Sequence, residues 1–476
     1  MTLFAHQQAS VDFFRGKPAT FDASDPGTGK TFVAIEIFRP RIRADGRSVL
    51  VIAPKSLLRN AWANDLRKFA PELILSVAYA ENREKAFAAP ADVYITNHDG
   101  VNWLVKQKPA FFKKFSTLVI DESGAFKHHT AKRSRNLAKI RKFFDYCHLM
   151  NGTPNTNGIT DVWHQYYVCD GGQRLGKSFY AFRGAVCVPK QVGPMPNMVE
   201  WVDRDGAEIG VADLVKDITI RHKFEDCVDI PENHMYTVPF ALKPAHMKQY
   251  RTMQALELLP LKDGTINAIN AAAVSTKLMQ IASGAVYESE GVYHKLDNDR
   301  YELIMDLLEP RQHSLCFFLW QHQKEELTKA AEARKFSYAV LDGTVSGTER
   351  EEIVRQFQAG FYKVLFAHPQ SAAHGLTLVK ATTTIWASPT YNLEHFSQGN
   401  KRIYRTGQTD KTETIIIVAE DTIDEKVYKA LATKRVRMEN LLEELKEETV
   451  TPRKAEPPVS DAVLDALRTF AQPESI

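Results

Sequence analysis

The chain has 476 residues, 61 Lys+Arg against 58 Asp+Glu, a formal net charge of +3 and 5 cysteines. At roughly 100–200 residues per domain this length implies two to four domains. Hydrophobic residues at 44% and charged residues at 25% exclude a disordered tail, a collagen-like rod and a disulfide miniprotein. Near-neutral charge leaves nucleic acid open as a partner, because binding needs only a local basic surface. The cysteines (Cys147, Cys169, Cys187, Cys227, Cys316) are scattered, odd in number and form no CxxC pair. That pattern implies reduced thiols in a cytoplasm-like compartment. No apolar run is long enough to span a bilayer, and the opening MTLFAHQQASVDFF lacks a basic head and apolar block.

The first 160 residues alternate between strands and helices. SVLVIAP (48–54), DVYITN (92–97) and STLVIDES (116–123) are short apolar runs of the kind buried in parallel sheets. Residues 160 to about 225 break that rhythm. WHQYYVCDGGQRLGKSFYAFR (163–183) is aromatic and basic, and its aromatics favour a packed structural insert. Residues 241–282 are expected to be helical. A second βα series follows: HSLCFFLW (313–320), FSYAVLDG (336–343), YKVLFAHP (362–369), TTTIWASP (382–389) and TETIIIVAE (412–420). EEIVRQFQAG (351–360) is a helix between two of these strands. Residues 424–448 form a long amphipathic, highly charged helix. TPRKAEPP (451–458) is a proline-bearing linker within an expected flexible tail, 446–476. Two α/β halves of similar rhythm suggest a duplicated fold with a ligand cleft between them.

SDPGTGKT (24–31) lies between a short apolar stretch and FVAIEIF, a strand–loop–helix setting. Gly27 and Gly29 allow backbone N–H groups to curl around phosphate oxygens, aided by the helix N-terminus. Pro26, Thr28 and the flanking residues complete the loop. Lys30 is expected to reach the β/γ-phosphates, and Thr31 to bind Mg²⁺. Ser24 stands where the full pattern has Gly. Asp121-Glu122 close the strand LVI, which suits Asp121 to the metal and Glu122 to the attacking water. The run Lys127 to Arg135 is basic and a candidate for phosphate contact. His128 and His129 lack the companions of a zinc site.

These residues resemble superfamily two helicase-like ATPases, and within them the SWI/SNF type. The likeness runs over residues 3–445 as ordered motifs. Leu3-Phe4-Ala5-His6-Gln7 resembles a Q-type motif, which implies that Gln7 reads an adenine edge. APKSLLRNAW (53–62), YITNHDGV (94–101), DESGAFKHHTAKRSRNL (121–137) and NGTPNTN (151–157) resemble motifs Ia, Ic, II and III. IRHKFEDCVDIP (220–231) is similar to the stretch closing lobe 1, and KLMQIASGA (277–285) to a helical signature opening lobe 2. VLDGTVSGTERE (340–351), SAAHGLTL (371–378) and QGNKRIYRTGQ (398–408) resemble the segment after motif IV, motif V and motif VI. Gly124 replaces a frequent His, Ala372-Ala373 and Thr377 replace Gly-Gly and Asn, and Tyr404 replaces a His. Such variation suits a divergent, compact branch like those of bacteriophages or mobile elements.

The resemblance implies an α/β fold of two tandem RecA-like parallel-sheet lobes with helical insertions: residues 1–230, with a helical protrusion instead of a packed insert over about 160–225, residues 231–445 and the tail. It implies a DNA-dependent ATPase that uses ATP and Mg²⁺ to translocate along DNA, duplex first, as a monomer away from membranes. Lys30, Asp121, Glu122, Arg402 and Arg405 are the expected catalytic residues, the two arginines acting as transition-state cations supplied by the second lobe. Gln7, Pro26, Gly27, Thr28, Gly29, Lys30 and Thr31 would hold the nucleotide, and Thr31 and Asp121 the metal. Lys55, Ser56, Thr96, Asn97, Ser371, Gly375 and Thr377 would line a sequence-independent phosphate track. Two alternatives stand beside this reading: a fork-unwinding or branch-migrating helicase, and a nucleotide-gated clamp with little turnover.

Overall fold

The computed structural model describes residues 2–192, 198–227, 230–258, 268–289, 291–372 and 376–444. The chain divides into two compact units, Met1–Asp229 with Lys434–Ile476, and Ile230–Thr433. Against the expected lobes, this division returns the end of the long helix Ile423–Glu444 to the first unit. Within that unit Asn155 Nδ2 donates to Arg437 O at 3.5 Å, and Arg437 lies 3.9 Å from the Asp203 carboxylate.

The first unit holds strands β1 (Ala19–Asp22), β2 (Ser48–Ala53), β3 (Leu75–Ala78), β4 (Val93–Asn97), β5 (Phe115–Asp121), β6 (Tyr146–Met150), β7 (Cys187–Gln191), β8 (Val199–Asp203) and β9 (Thr219–Ile220). Seven of them make one sheet, ordered β3-β4-β2-β5-β6-β1-β9, with every pairing parallel. All seven residues of β5 are buried, as a central strand covered on both faces requires. Ala34, Ile35 and Phe38 of helix Lys30–Asp45 pack against Val49, Val51 and Ile95 on one face. On the other flank Val11 and Phe14 of helix Ala5–Phe14 meet Val33, Ile37 and Ile220.

Residues 160–225 depart from the expected helical protrusion. Helix Asp161–Asp170 is a core helix, with Trp163 and Tyr166 at 5% and 2% exposure. Burying two large rings gains more than projecting them into water. β7 and β8 then form an antiparallel hairpin, and β9 rejoins the sheet beside β1.

The second unit holds β10 (Asn233–Phe240), β11 (Ala285–Ser289), β12 (Val292–Lys295), β13 (Ser314–Phe317), β14 (Tyr338–Leu341), β15 (Val364–Ala367), β16 (Thr383–Trp386) and β17 (Thr412–Ala419). Its main sheet is also all parallel, ordered β10-β17-β16-β13-β15-β14. The helical opening of this half, Pro244–Leu258 and Ala268–Ala282, is preceded by the edge strand β10, which pairs with β17. Arg300 is 2% exposed and donates to Asp424 Oδ2 at 2.6 Å, Ala387 O and Ala282 O, tying three segments together. The expected tail 446–476 lies outside the described residues.

Candidate nucleotide site

Strand order builds this site. β6 lies between β1 and β5, so Asp22 and Asp121 both register with Met150. The loops that follow β1, β6 and β5 therefore sit side by side at the carboxyl edge of the sheet, where parallel α/β sheets bind ligands. Those loops are SDPGTGK, NGTPN and DESG.

Gly29 caps helix Lys30–Asp45 at φ +86°, and Gly27 has φ +93°. A Cβ on Gly29 would lie 2.2 Å from Gln7 Nε2, and one on Gly27 would lie 3.0 Å from the Phe224 ring. Both glycines thus answer to backbone angle and to space. Lys30 Nζ donates to Ser24 O at 2.7 Å and Asp25 O at 3.0 Å, so its ammonium lies along the loop. Thr31 is half-buried one residue on. The Thr28 hydroxyl donates to Asp25 O at 2.8 Å. Gln7, 6% exposed, donates from Nε2 to Thr28 O at 3.1 Å and accepts from Phe4 N at 3.0 Å. The Q-type segment therefore touches the phosphate loop directly.

Ser24 has a role the sequence did not reveal: its hydroxyl accepts from His222 N at 3.0 Å. His222 belongs to the segment after β9, which straps the loop. Arg221, 6% exposed, donates to Asp25 Oδ1 at 2.6 Å, and Phe224 N donates to Asp25 Oδ2 at 3.1 Å. The loop is thus held from two sides, by Gln7 and by the strap.

At the end of β5, Asp121 is 8% exposed. Its Oδ2 accepts from Trp62 Nε1 at 2.9 Å and its Oδ1 from Glu122 N at 2.9 Å. His98 Nε2 lies 2.8 Å from Asp121 O. Burial pushes the Asp121 carboxyl up, against the lowering effects of Trp62 and the Lys30 charge. Glu122 adopts φ +50°, ψ +55°, a left-handed conformation that costs a non-glycine residue about 1–2 kcal/mol. Strain of this kind is characteristic of functional turns.

Behind the acids, Gln165 (1% exposed) accepts from Ser123 Oγ at 2.7 Å and from Asn151 Nδ2 at 3.0 Å. Its own Nε2 donates to Pro154 O and Asp161 O. Asn151 Oδ1 accepts from Thr153 N. One buried amide therefore ties DESG to NGTPN. A Cβ on Gly124 would lie 2.9 Å from Asn151 Nδ2, so the absent side chain makes room for this contact.

The expected phosphate track is corrected at Thr96. That residue is 0% exposed and packed beneath Gly100, so its hydroxyl does not face the surface. Lys55 is exposed, 5.9 Å above the Tyr79 ring, and Ser56 is half-buried. Asn97 Oδ1 accepts from Arg83 at 2.9 Å. In the second unit, Ser371 O accepts from Arg350 and Thr377 is half-buried, whereas Gly375 lies outside the described residues. Arg402, 5% exposed, donates to Gln398 O and Leu376 O, and Arg405 also donates to Leu376 O at 2.9 Å. Sequence reasoning missed Gln165, Asp25 and the contacts of Arg221 and His98. Asp25, His98 and Arg221 lie in the motif-like segments SDPGTGKT, YITNHDGV and IRHKF, which gave no sign of these contacts.

The chain is similar in sequence to known proteins. The SNF2-related domain family matches residues 6–286, and the helicase conserved C-terminal domain matches residues 299–407. Protein p41 of Acyrthosiphon pisum secondary endosymbiont phage 1 is 28% identical, over 85% of this chain and 89% of its own length. YwqA of Bacillus subtilis is 25% identical over 88% of this chain, and the human DNA annealing helicase and endonuclease ZRANB3 is 25% identical over 84%. The matches span only 46% and 37% of those two longer proteins. The Sulfolobus solfataricus SWI2/SNF2 ATPase core, solved with double-stranded DNA, aligns over 93% of both chains at 21% identity and a TM-score of 0.43. With more than half of its length matched by one family, the chain belongs to the SNF2-related family.

Proposed function

We propose that this protein is a DNA-dependent ATPase that couples ATP hydrolysis to translocation along duplex DNA, remodelling DNA structures or protein–DNA contacts. The observation that carries this reading is the cluster of phosphate loop, Asp121-Glu122 and NGTPN at one sheet edge, in a chain of the SNF2-related family. In this proposal backbone N–H groups of residues 27–31 and the Lys30 ammonium take the triphosphate, Lys30 leaving its loop carbonyls to do so. Gln7 reads the adenine edge while keeping the loop in register.

Thr31 and Asp121 supply hard oxygen donors, the chemistry Mg²⁺ takes when it binds through one or two carboxylates and substrate phosphates. Asp121 suits a cation because its carboxyl is buried and pushed up; a positive charge beside it would relieve that desolvation. Bound there, the metal would neutralise charge on the phosphates. Glu122, held in its left-handed turn, orients the attacking water and takes its proton. Arg405 stabilises charge on the transferring phosphoryl, and Arg402 positions the Leu376 segment and Arg405 with it.

DNA binding is assigned to phosphate contacts from Lys55, Ser56, Asn97, Ser371, Gly375 and Thr377, which carry no sequence information. Steady-state ATP hydrolysis with blunt duplexes of increasing length, single strands and branched DNA tests the proposal, with Glu122→Gln as the blank. Stimulation that grows with duplex length is expected. A rate indifferent to every nucleic acid would overturn it.

A further inference from the structure

Two motifs that stand apart in the sequence meet in the structure. One is the basic run after DESG. Between Glu122 and Asp145 there are seven Lys or Arg residues and no acidic residue. Lys132, Arg133, Arg135, Lys139 and Lys142 are exposed. The other is the aromatic segment 163–183. His129 of the basic run joins them: its ring lies 3.9 Å from Phe179, 5.8 Å from Trp163 and 6.2 Å from Tyr180. From buried Trp163 a chain of rings runs outward through Phe179 to Tyr180, which is 68% exposed. The guanidinium of Arg183 extends the face, 5.3 Å over Tyr180 and 4.0 Å over Trp201 of β8, itself 38% exposed. Lys177 is exposed on the same segment.

We propose that Tyr180, Trp201 and Arg183, beside the basic run 127–142, form a stacking platform for unpaired bases of a single-stranded DNA arm. Large exposed rings beside cations match the two chemistries of a single strand, base faces and phosphates. A duplex would use only the cations, because its bases already stack on each other. A guanidinium above an indole adds a second flat, positively charged surface for a base. The exposed cations on residues 132–142 lie on one helix, Lys132–Arg141, and its C-terminal cap, and can follow the strand's phosphates. Burial, with His128 and Arg183 nearby, lowers the His129 pKa, so that ring stays uncharged as the inner wall of the platform.

The inference rests on the reading of the protein as a duplex DNA motor and adds a preference for duplexes that carry a single-stranded arm. The experiment measures the affinity of the full chain for a blunt duplex and for the same duplex carrying a single-stranded dT arm. Basal and blunt-duplex-stimulated ATP hydrolysis are measured in parallel. Wild type is expected to bind the armed duplex more tightly. Tyr180→Ala should lower that arm-dependent gain about tenfold, as should Trp201→Ala, in line with the stacking of one base on one ring. Tyr180→Phe and Trp201→Phe, which keep a ring, should preserve it. Blunt-duplex affinity and basal hydrolysis should not change in any variant. Tyr180 is mostly solvent-exposed, so its truncation leaves the core intact.

Arm binding unchanged in both alanine variants would overturn the platform, as would a wild type that ignores the arm. Failure of the motor reading shows differently, as a wild type whose hydrolysis no DNA stimulates. Ring-dependent arm binding would survive that result and still support the platform.

Discussion

Replacing Arg221 with Met should loosen the phosphate loop without touching any residue expected on the nucleotide. Arg221 is 6% exposed, and its guanidinium meets Asp25 Oδ1 at 2.6 Å, with Ala23 O and His222 O each at 3.3 Å. Removing one partner of a buried pair typically costs about 3–5 kcal/mol, because the other charge is left buried. Asp25 keeps the Phe224 N–H and a side chain 14% exposed, so the lower end, about 3 kcal/mol, is the reasonable expectation. Asp25→Ala leaves the guanidinium with two long carbonyl contacts and should cost a similar amount. The double variant removes the mismatch, and the cycle should return a coupling of about 2 kcal/mol. Part of the loss falls on the loop itself, so the dissociation constant of a fluorescent ADP analogue should rise about tenfold in each single variant, equivalent to about 1.4 kcal/mol. The assay pairs urea unfolding with that titration, since two units need not unfold together. Single variants that cost under about 1 kcal/mol and bind the analogue as wild type does would refute the strap.

Gly29→Ala should weaken nucleotide binding, since it strains a backbone at φ +86° and its Cβ, 2.2 Å from Gln7 Nε2, would displace the Gln7 amide from the loop. Isothermal titration with ADP checks this, and Gly46→Ala, with φ +65° but nothing within 4 Å, serves as the control for backbone strain alone. Gly124→Ala should push the Asn151 amide away from Gln165 and cost about 1–3 kcal/mol of stability, with a lowered DNA-stimulated rate and a smaller effect on the basal rate. Wild-type values for both would refute that account of the departure. Stability should fall with acid. His148, His164 and His322 are buried at 1%, 3% and 1% exposure, and burial lowers each pKa to about 4. With the unfolded value at 6.5, the unfolded chain binds more protons between pH 6.5 and 4. Stability is therefore full above pH 6.5 and declines as pH falls through that window, by as much as roughly 3 kcal/mol per histidine. Thermal melts from pH 7.5 to 4.5 check it, and a flat profile would argue that these rings are not buried neutral.

The legible parts of the fold were those with a local signal. β2, β4, β5 and the strands of the second series are short apolar runs bounded by small or polar residues, and each is a strand whose ends lie within three residues of expectation. Missed elements lacked that signal. β10 is largely exposed, as an edge strand can be, and β9 is two residues long. The aromatics of 163–183 favoured a packed insert over the protrusion that the family resemblance implied, but a sequence does not say which rings find a pocket. Helix Asp161–Asp170 buries Trp163 and Tyr166, whereas Tyr180 at the next helix stays 68% exposed. At the candidate nucleotide site, the residues of the glycine-rich loop and the acid pair have a local signal in spacing. Residues that act through tertiary contacts do not. Gln165 lies 42 residues from Ser123, and Arg221 lies 196 from Asp25. Thr96 failed for the opposite reason: a Thr after a strand looks like a surface hydroxyl until the close approach of Gly100 covers it.

Gln165 gives the substitution at Gly124 a physical meaning. A link between the acid pair and the neighbouring loop must change when phosphate leaves, and it must be stiff enough to transmit the change. A buried amide meets the second condition. Its oxygen takes two donors, Ser123 Oγ beside the acids and Asn151 Nδ2 in NGTPN. Its nitrogen is pinned to Pro154 O and Asp161 O, so Gln165 has little freedom to follow one loop without the other. A small shift at Glu122 therefore reaches Asn151 through two short hydrogen bonds, and Pro154 through the same amide. A bulkier residue at position 124 would occupy the space through which Asn151 makes this connection. Glycine there is compatible with a coupled motor, because the link between the two loops runs through the side chain behind them.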